Sequence, residues 1–106
     1  MTDKIKLLRN AQPEVLLDAS SWEKMSGDPH TVNLNAYASA DGTKTMGTWI
    51  CTPGKWAVDY QKWEYCDFRE GYCILTPEDG EPIHLKAGDI FIVEPGFKGT
   101  WEVVET

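Results

Sequence analysis

The chain has 106 residues, seventeen acidic against ten basic, and a formal net charge of −7. That length suits one domain with a core large enough to need no disulfide staples. The acidic balance argues against nucleic acid, whose binders carry basic faces, and no stretch approaches the ~20 apolar residues of a bilayer-spanning helix.

In chain order, residues 1–30 are polar and contain no strong strand, so they are expected to form an extension wrapping the remainder of the chain. The opening MTDKIKLLRNAQPEV lacks the apolar run of a secretory signal. One short helical turn is expected at residues 20–25, SSWEKM, where Ser20 or Ser21 would cap it. From residue 31 the pattern changes. Short runs rich in Val, Ile, Thr and aromatic residues succeed one another: TVNLNAYAS, TMGTWIC, KWAVDYQ, EYCDF, YCILT, PIHL, IFIVE and TWEVVE. Between them stand turn signals such as ADG, TPG, REG, EDG, AGD and EPG, where glycine supplies positive φ and proline presets the bend. Short strands at such spacing predict an all-β sandwich or barrel.

Alternation assigns faces. Trp56, Val58 and Tyr60 point one way, as do Glu64, Cys66 and Phe68. In IFIVE both faces are apolar up to Glu94, which predicts cover on both sides, by a second sheet or a partner subunit. The three cysteines, Cys51, Cys66 and Cys73, are odd in number and contain no C-x-x-C pair. Neither a disulfide framework nor a zinc ribbon is available, and a reducing cytoplasm fits best.

Glu64 stands seven residues before Gly71, a glutamate–six residues–glycine spacing. Together with SADGTKTMGTWICTPGKW (39–56), WEYCDFREG (63–71), EDG (78–80) and KAGDIFIVEPGFKGTWEVVE (86–105), this spacing makes the chain resemble a cupin. The resemblance runs from about Asn33 to Glu105 and is closest to the small branch related to the cupin domain of (S)-ureidoglycine aminohydrolase. It implies a single-domain, all-β jelly-roll (double-stranded β-helix) barrel over residues 31–106. A typical cupin ends its first motif H-x-H-x3-4-E-x6-G and supplies a further histidine in its second. The overlay puts Val58 and Tyr60 at the two histidine places, keeps Glu64, sets Glu94 at the usual proline and places Gly99 where the last histidine would be. With three of the four ligands replaced, the resemblance implies no metal cofactor, or at most a weakly held divalent ion. His30 and His84 fall at none of the ligand places.

Without a metal, Glu64 is expected to face an interior lined by Trp56, Tyr60, Phe68 and Trp101. Burial would then raise its pKa toward that of a general acid–base. The alternative is a carboxylate that only hydrogen-bonds Tyr60 or a backbone amide. Cys66, beside a carboxylate and an apolar wall, is expected to be an inert thiol. The candidate ligand-binding set is Trp56, Tyr60, Glu64, Cys66 and Trp101, an aromatic lining suited to a small flat or sugar-like molecule. The resulting expectation is a cytoplasmic homodimeric cupin that binds a small organic metabolite, with no nucleic acid or membrane partner. The rival is an amidohydrolase, lyase or isomerase resembling ureidoglycine aminohydrolase, with Glu64 as its catalytic acid–base.

Overall fold

The computed structural model describes residues 12–106. The part of the expected extension that covers residues 1–11, and the signal-free reading of that segment, lie outside the described residues. Ten strands are present: β1 (Glu14–Leu17), β2 (Glu23–Gly27), β3 (Thr31–Ala38), β4 (Thr45–Cys51), β5 (Gly54–Asp59), β6 (Glu64–Asp67), β7 (Tyr72–Pro77), β8 (Ile83–Lys86), β9 (Ile90–Val93) and β10 (Lys98–Glu105). The described residues contain no helix. Each of the eight runs expected from residue 31 onward is a strand, β3 to β10.

The first thirty residues depart from expectation. The helical turn at 20–25 does not form. The Ser20 hydroxyl accepts from the Trp22 N–H at 3.2 Å, a local turn that competes with helix, and the chain then runs as β2 along β5. Every residue of β2 is exposed. Such a strand has no apolar alternation to read, and β2 exists because the edge of β5 offers it ladder partners. β1 likewise pairs with β3 through Leu17↔Val32 and its neighbours.

Two compact units divide the described residues. One combines the segment up to Ala19 with Thr31–Ile50, and the other combines Ser20–His30 with Cys51–Thr106. The first carries the sheet β1-β3-β4. Its β1–β3 ladder is closed at one end by reciprocal bonds, the Asp18 N–H donating to Thr31 O at 2.8 Å and the Thr31 N–H to Asp18 Oδ1 at 3.1 Å. In the turn after β3, the Ser39 hydroxyl and the Thr43 hydroxyl and N–H all donate to Asp41 Oδ1. These donors, Ser39 foremost, hold the Asp41 carboxyl down at about 2.

The second unit contains the five-stranded sheet β2-β5-β10-β7-β8 and the two-stranded sheet β6-β9, both built from antiparallel pairs. Its core comes from alternate positions: Trp56 and Val58 on β5, Cys73 and Leu75 on β7, Trp101 and Val103 on β10. The expected shared face of Trp56, Val58 and Tyr60 is therefore the buried one. Gly71 ends the glutamate–glycine spacing for a steric reason. Its φ is 93°, and a Cβ there would stand 2.5 Å from the Glu105 carbonyl oxygen.

Among the described residues only one face of β9 is covered. Val93 is buried and Phe91 half-buried, while Ile90 and Ile92 remain 62% and 52% exposed. Tyr65, paired with Ile92 across the ladder, is exposed beside them, as is Trp63.

Candidate functional site

The site is built where β5 gives way to β6. After Asp59 the backbone is anchored by the Tyr60 N–H donating to Phe97 O at 2.8 Å and the Gly96 N–H donating to Tyr60 O at 2.7 Å. Tyr60 is thereby held with its ring inward, only 6% exposed. Its hydroxyl donates to Glu64 Oε1 at 3.0 Å, and the Cys66 thiol donates to the same oxygen at 3.0 Å. Burial first, and then the Glu64 carboxylate, push both the Tyr60 phenol and the Cys66 thiol well up, so both stay protonated donors. The hydrogen bond between Tyr60 and Glu64 is thus present, and the same surroundings oppose thiolate formation at Cys66.

The enclosed carboxylate is not found. Glu64 is exposed. It is the first residue of a short strand whose only ladder partner among the described residues is β9, where it stands opposite Val93. The aromatic interior is taken up by other side chains.

Those side chains form a ring cluster. Tyr60 stacks on Trp101 with centroids 6.4 Å apart. Trp22 packs on both, at 5.2 and 5.9 Å. Phe97 lies 5.9 Å from Tyr60 and Phe91 6.3 Å from Trp101. Trp22 comes from the segment expected only to wrap the barrel, and nothing in its polar surroundings signalled a place in the cluster. Of the expected ligand-binding set, Tyr60, Glu64 and Cys66 come together through hydrogen bonds, and Trp101 joins through Tyr60. Trp56 is occupied elsewhere. Its indole N–H donates to Cys51 Sγ at 3.4 Å, and the Lys24 ammonium sits 5.9 Å from its ring. Burial also raises the Cys73 thiol, an effect opposed by the neighbouring Trp101 indole. His30 is paired with Asp28 at 3.2 Å, and His84 is hydrogen-bonded to the Tyr72 hydroxyl.

The donor set does not fit a transition metal. Among the described residues no group of three or more His, Cys, Asp or Glu side chains could hold one, whereas such sites take three or four fixed protein ligands. Val58 is a buried hydrocarbon, and the Tyr60 hydroxyl is a protonated donor to Glu64. At Gly99 a Cβ would lie 2.0 Å from the Thr76 carbonyl oxygen. The β7–β10 ladder is too close there for any side chain.

Space for a ligand opens beside the ring cluster rather than at its centre. A cavity of about 320 Å³ is lined by Leu75 and Pro77 of β7, Ile83 and Leu85 of β8, Phe91, Ile92 and Val93 of β9, and Glu94, Pro95 and Phe97 of the following turn. Its aromatic walls, Phe91 and Phe97, are the same rings that touch Trp101 and Tyr60. A second, more polar depression of about 480 Å³ includes Trp22, Asp59, Gln61, Glu78 and Lys98. None of the five residues of the expected ligand-binding set lines either space. The alternation of Leu75, Leu85 and Val93 is that of ordinary core positions, and no local signal shows that side chains of three strands leave a gap.

Residues 38–106 match the family described as the EutQ-like cupin domain. No curated protein matches the sequence. Among solved structures the chain is similar to a protein of unknown function (DUF1255) from Acidithiobacillus ferrooxidans, with 21% identity over 88% of this chain and 85% of that one and a TM-score of 0.57. At that identity the likeness speaks for the fold alone.

Proposed function

We propose that this chain, which belongs to the EutQ-like cupin domain family, binds a small organic metabolite in the apolar cavity between the β7–β8 hairpin and β9, without a metal. Its fold is the all-β cupin jelly roll. The observation that carries the reading is the cavity itself, about 320 Å³ with almost wholly apolar walls, at the lower end of the ~300–1,000 Å³ usual for small-molecule sites. Tyr60 and Trp101 back its aromatic wall, so Trp101 fluorescence reports occupancy. A metabolite panel screened by thermal shift tests this on the parent and on Ile83→Trp, which fills the cavity mouth from a half-exposed position. The expected result is a stabilising compound whose shift is lost in the variant. Equal shifts in both proteins would move the site elsewhere.

The enzymatic reading, resembling ureidoglycine aminohydrolase with Glu64 as acid–base, is favoured by one observation: Tyr60 and Cys66 both point their protons at Glu64 Oε1. Acid–base catalysis predicts that Glu64→Gln lowers turnover by ~10²–10⁴. Binding in the apolar cavity predicts that the same variant keeps the parent's ligand-induced shift, because Glu64 lies outside the lining.

The partner proposed besides the ligand is a second copy of the chain. The open face of β6-β9, with Trp63, Tyr65, Ile90 and Ile92 exposed, is the kind of apolar patch that association covers, and closed twofold dimers are the commonest solution. Light scattering at micromolar concentration is expected to give twice the chain mass, and Ile92→Lys to shift it to the monomer. A parent that is already monomeric contradicts this. The free thiols Cys51, Cys66 and Cys73 favour a reducing compartment, the cytoplasm. No described helix is long and apolar enough to cross a membrane.

A further inference from the structure

We infer that the ligand of the apolar cavity is a hydrophobic molecule bearing one amine, held as its cation against the carboxylate of Glu94; this rests on the cavity reading above. The lining consists of aliphatic, proline and phenylalanine side chains with a single exception, Glu94. No lysine, arginine or histidine lines the cavity to neutralise that carboxylate. Nor does the Glu94 side chain make a hydrogen bond or ion pair with any described residue. Its position is nevertheless fixed. The Phe97 N–H donates to Glu94 O at 3.3 Å, closing the turn that begins at Pro95, and a residue before proline is confined to extended backbone. The carboxylate is thus carried on a set turn at the edge of an apolar space.

That setting dictates the chemistry of the missing counterpart. A neutral hydrocarbon would fill the walls and leave the charge unused. A carboxylate ligand would meet Glu94 as a like charge, within a protein whose net charge is −7. An ammonium at the end of an apolar body satisfies both parts of the lining. It pairs with Glu94 at the rim while its hydrocarbon portion displaces water from Leu75, Leu85 and Val93. Phe91 and Phe97 add aromatic faces, to which a nearby cation is also attracted. Glu94 is exposed at this rim, so the ammonium meets it in a charge-assisted hydrogen bond at the cavity edge, while the apolar walls take up the body of the ligand.

The test is calorimetric titration with matched probe series on the parent, Glu94→Gln and Ile83→Trp. Each series keeps the body and changes the head group: benzylamine, benzyl alcohol and benzoate; phenethylamine, 2-phenylethanol and phenylacetate; hexylamine, hexanol and hexanoate. In the parent the amine of at least one series is expected to bind ten-fold or more tightly than its alcohol, with the carboxylate weakest. Glu94→Gln is expected to abolish the amine-over-alcohol difference while leaving the alcohol's affinity unchanged. Alcohols that bind the parent as well as the amines overturn the inference and leave the cavity reading standing. An amine preference that survives in Glu94→Gln overturns the role of Glu94. Failure of every probe, or binding undiminished in Ile83→Trp, overturns the cavity reading itself.

Discussion

Replacing Trp101 with alanine is expected to lower the stability of the fold by about 3–5 kcal/mol, the range for removing a large aromatic from a packed core. Trp101 is 4% exposed and sits in the middle of the five-stranded sheet, opposite Trp56 on β5 and Leu75 on β7. Its ring is the hub on which Tyr60, Trp22 and Phe91 pack. The substitution therefore leaves a hole bordered by rigid rings that have little freedom to close it. Trp101→Phe keeps part of that packing and is expected to cost less. Urea unfolding of the three proteins supplies the comparison. A loss under about 1 kcal/mol for Trp101→Ala would mean that the cluster is not the core of this unit.

Restoring the histidine that the resembling motif carries at Gly99 is expected to damage the protein without giving it a metal. A Cβ at Gly99 would stand 2.0 Å from the Thr76 carbonyl oxygen and 3.0 Å from the Pro77 Cα, both backbone atoms of the adjacent strand. Such an atom cannot be moved aside by a rotamer change. The β7–β10 ladder must open, at a cost of about 3 kcal/mol or more, the upper end of overpacking penalties. Gly99→Ala isolates this steric part from any effect of the imidazole. A Gly99→His protein as stable as the parent and holding one equivalent of zinc would contradict both the steric account and the absence of a usable donor set.

What the amino-acid sequence discloses follows the reach of each signal. Strands β3 to β10 were legible because their apolar residues recur within a few positions and glycine- or proline-bearing turns punctuate them. The inward face of Trp56, Val58 and Tyr60 was legible for the same reason. β2 was not, because an edge strand with every side chain in solvent is specified by the strand it joins. The site divides in the same way. The bond between Tyr60 and Glu64 joins side chains four residues apart and was open to sequence reasoning. The exposure of Glu64 was not, since it depends on Tyr60 and Trp101 filling the interior and on β6 having only β9 as partner among the described residues. Trp22 entered the ring cluster, and Leu75, Leu85 and Phe91 came to border a cavity, through contacts between residues remote in sequence. The pairing that brings them together lies outside any local pattern.

The central proposition is that this cupin binds an organic ligand through its own side chains alone. Calorimetric titration of the strongest ligand from the metabolite panel into chelator-treated protein, with elemental analysis of the same sample, tests it most directly. The predicted result is one binding site per chain with the affinity of untreated protein, at well under one equivalent of any transition metal. Binding that disappears on chelation and returns with added manganese, iron, nickel or zinc would contradict it.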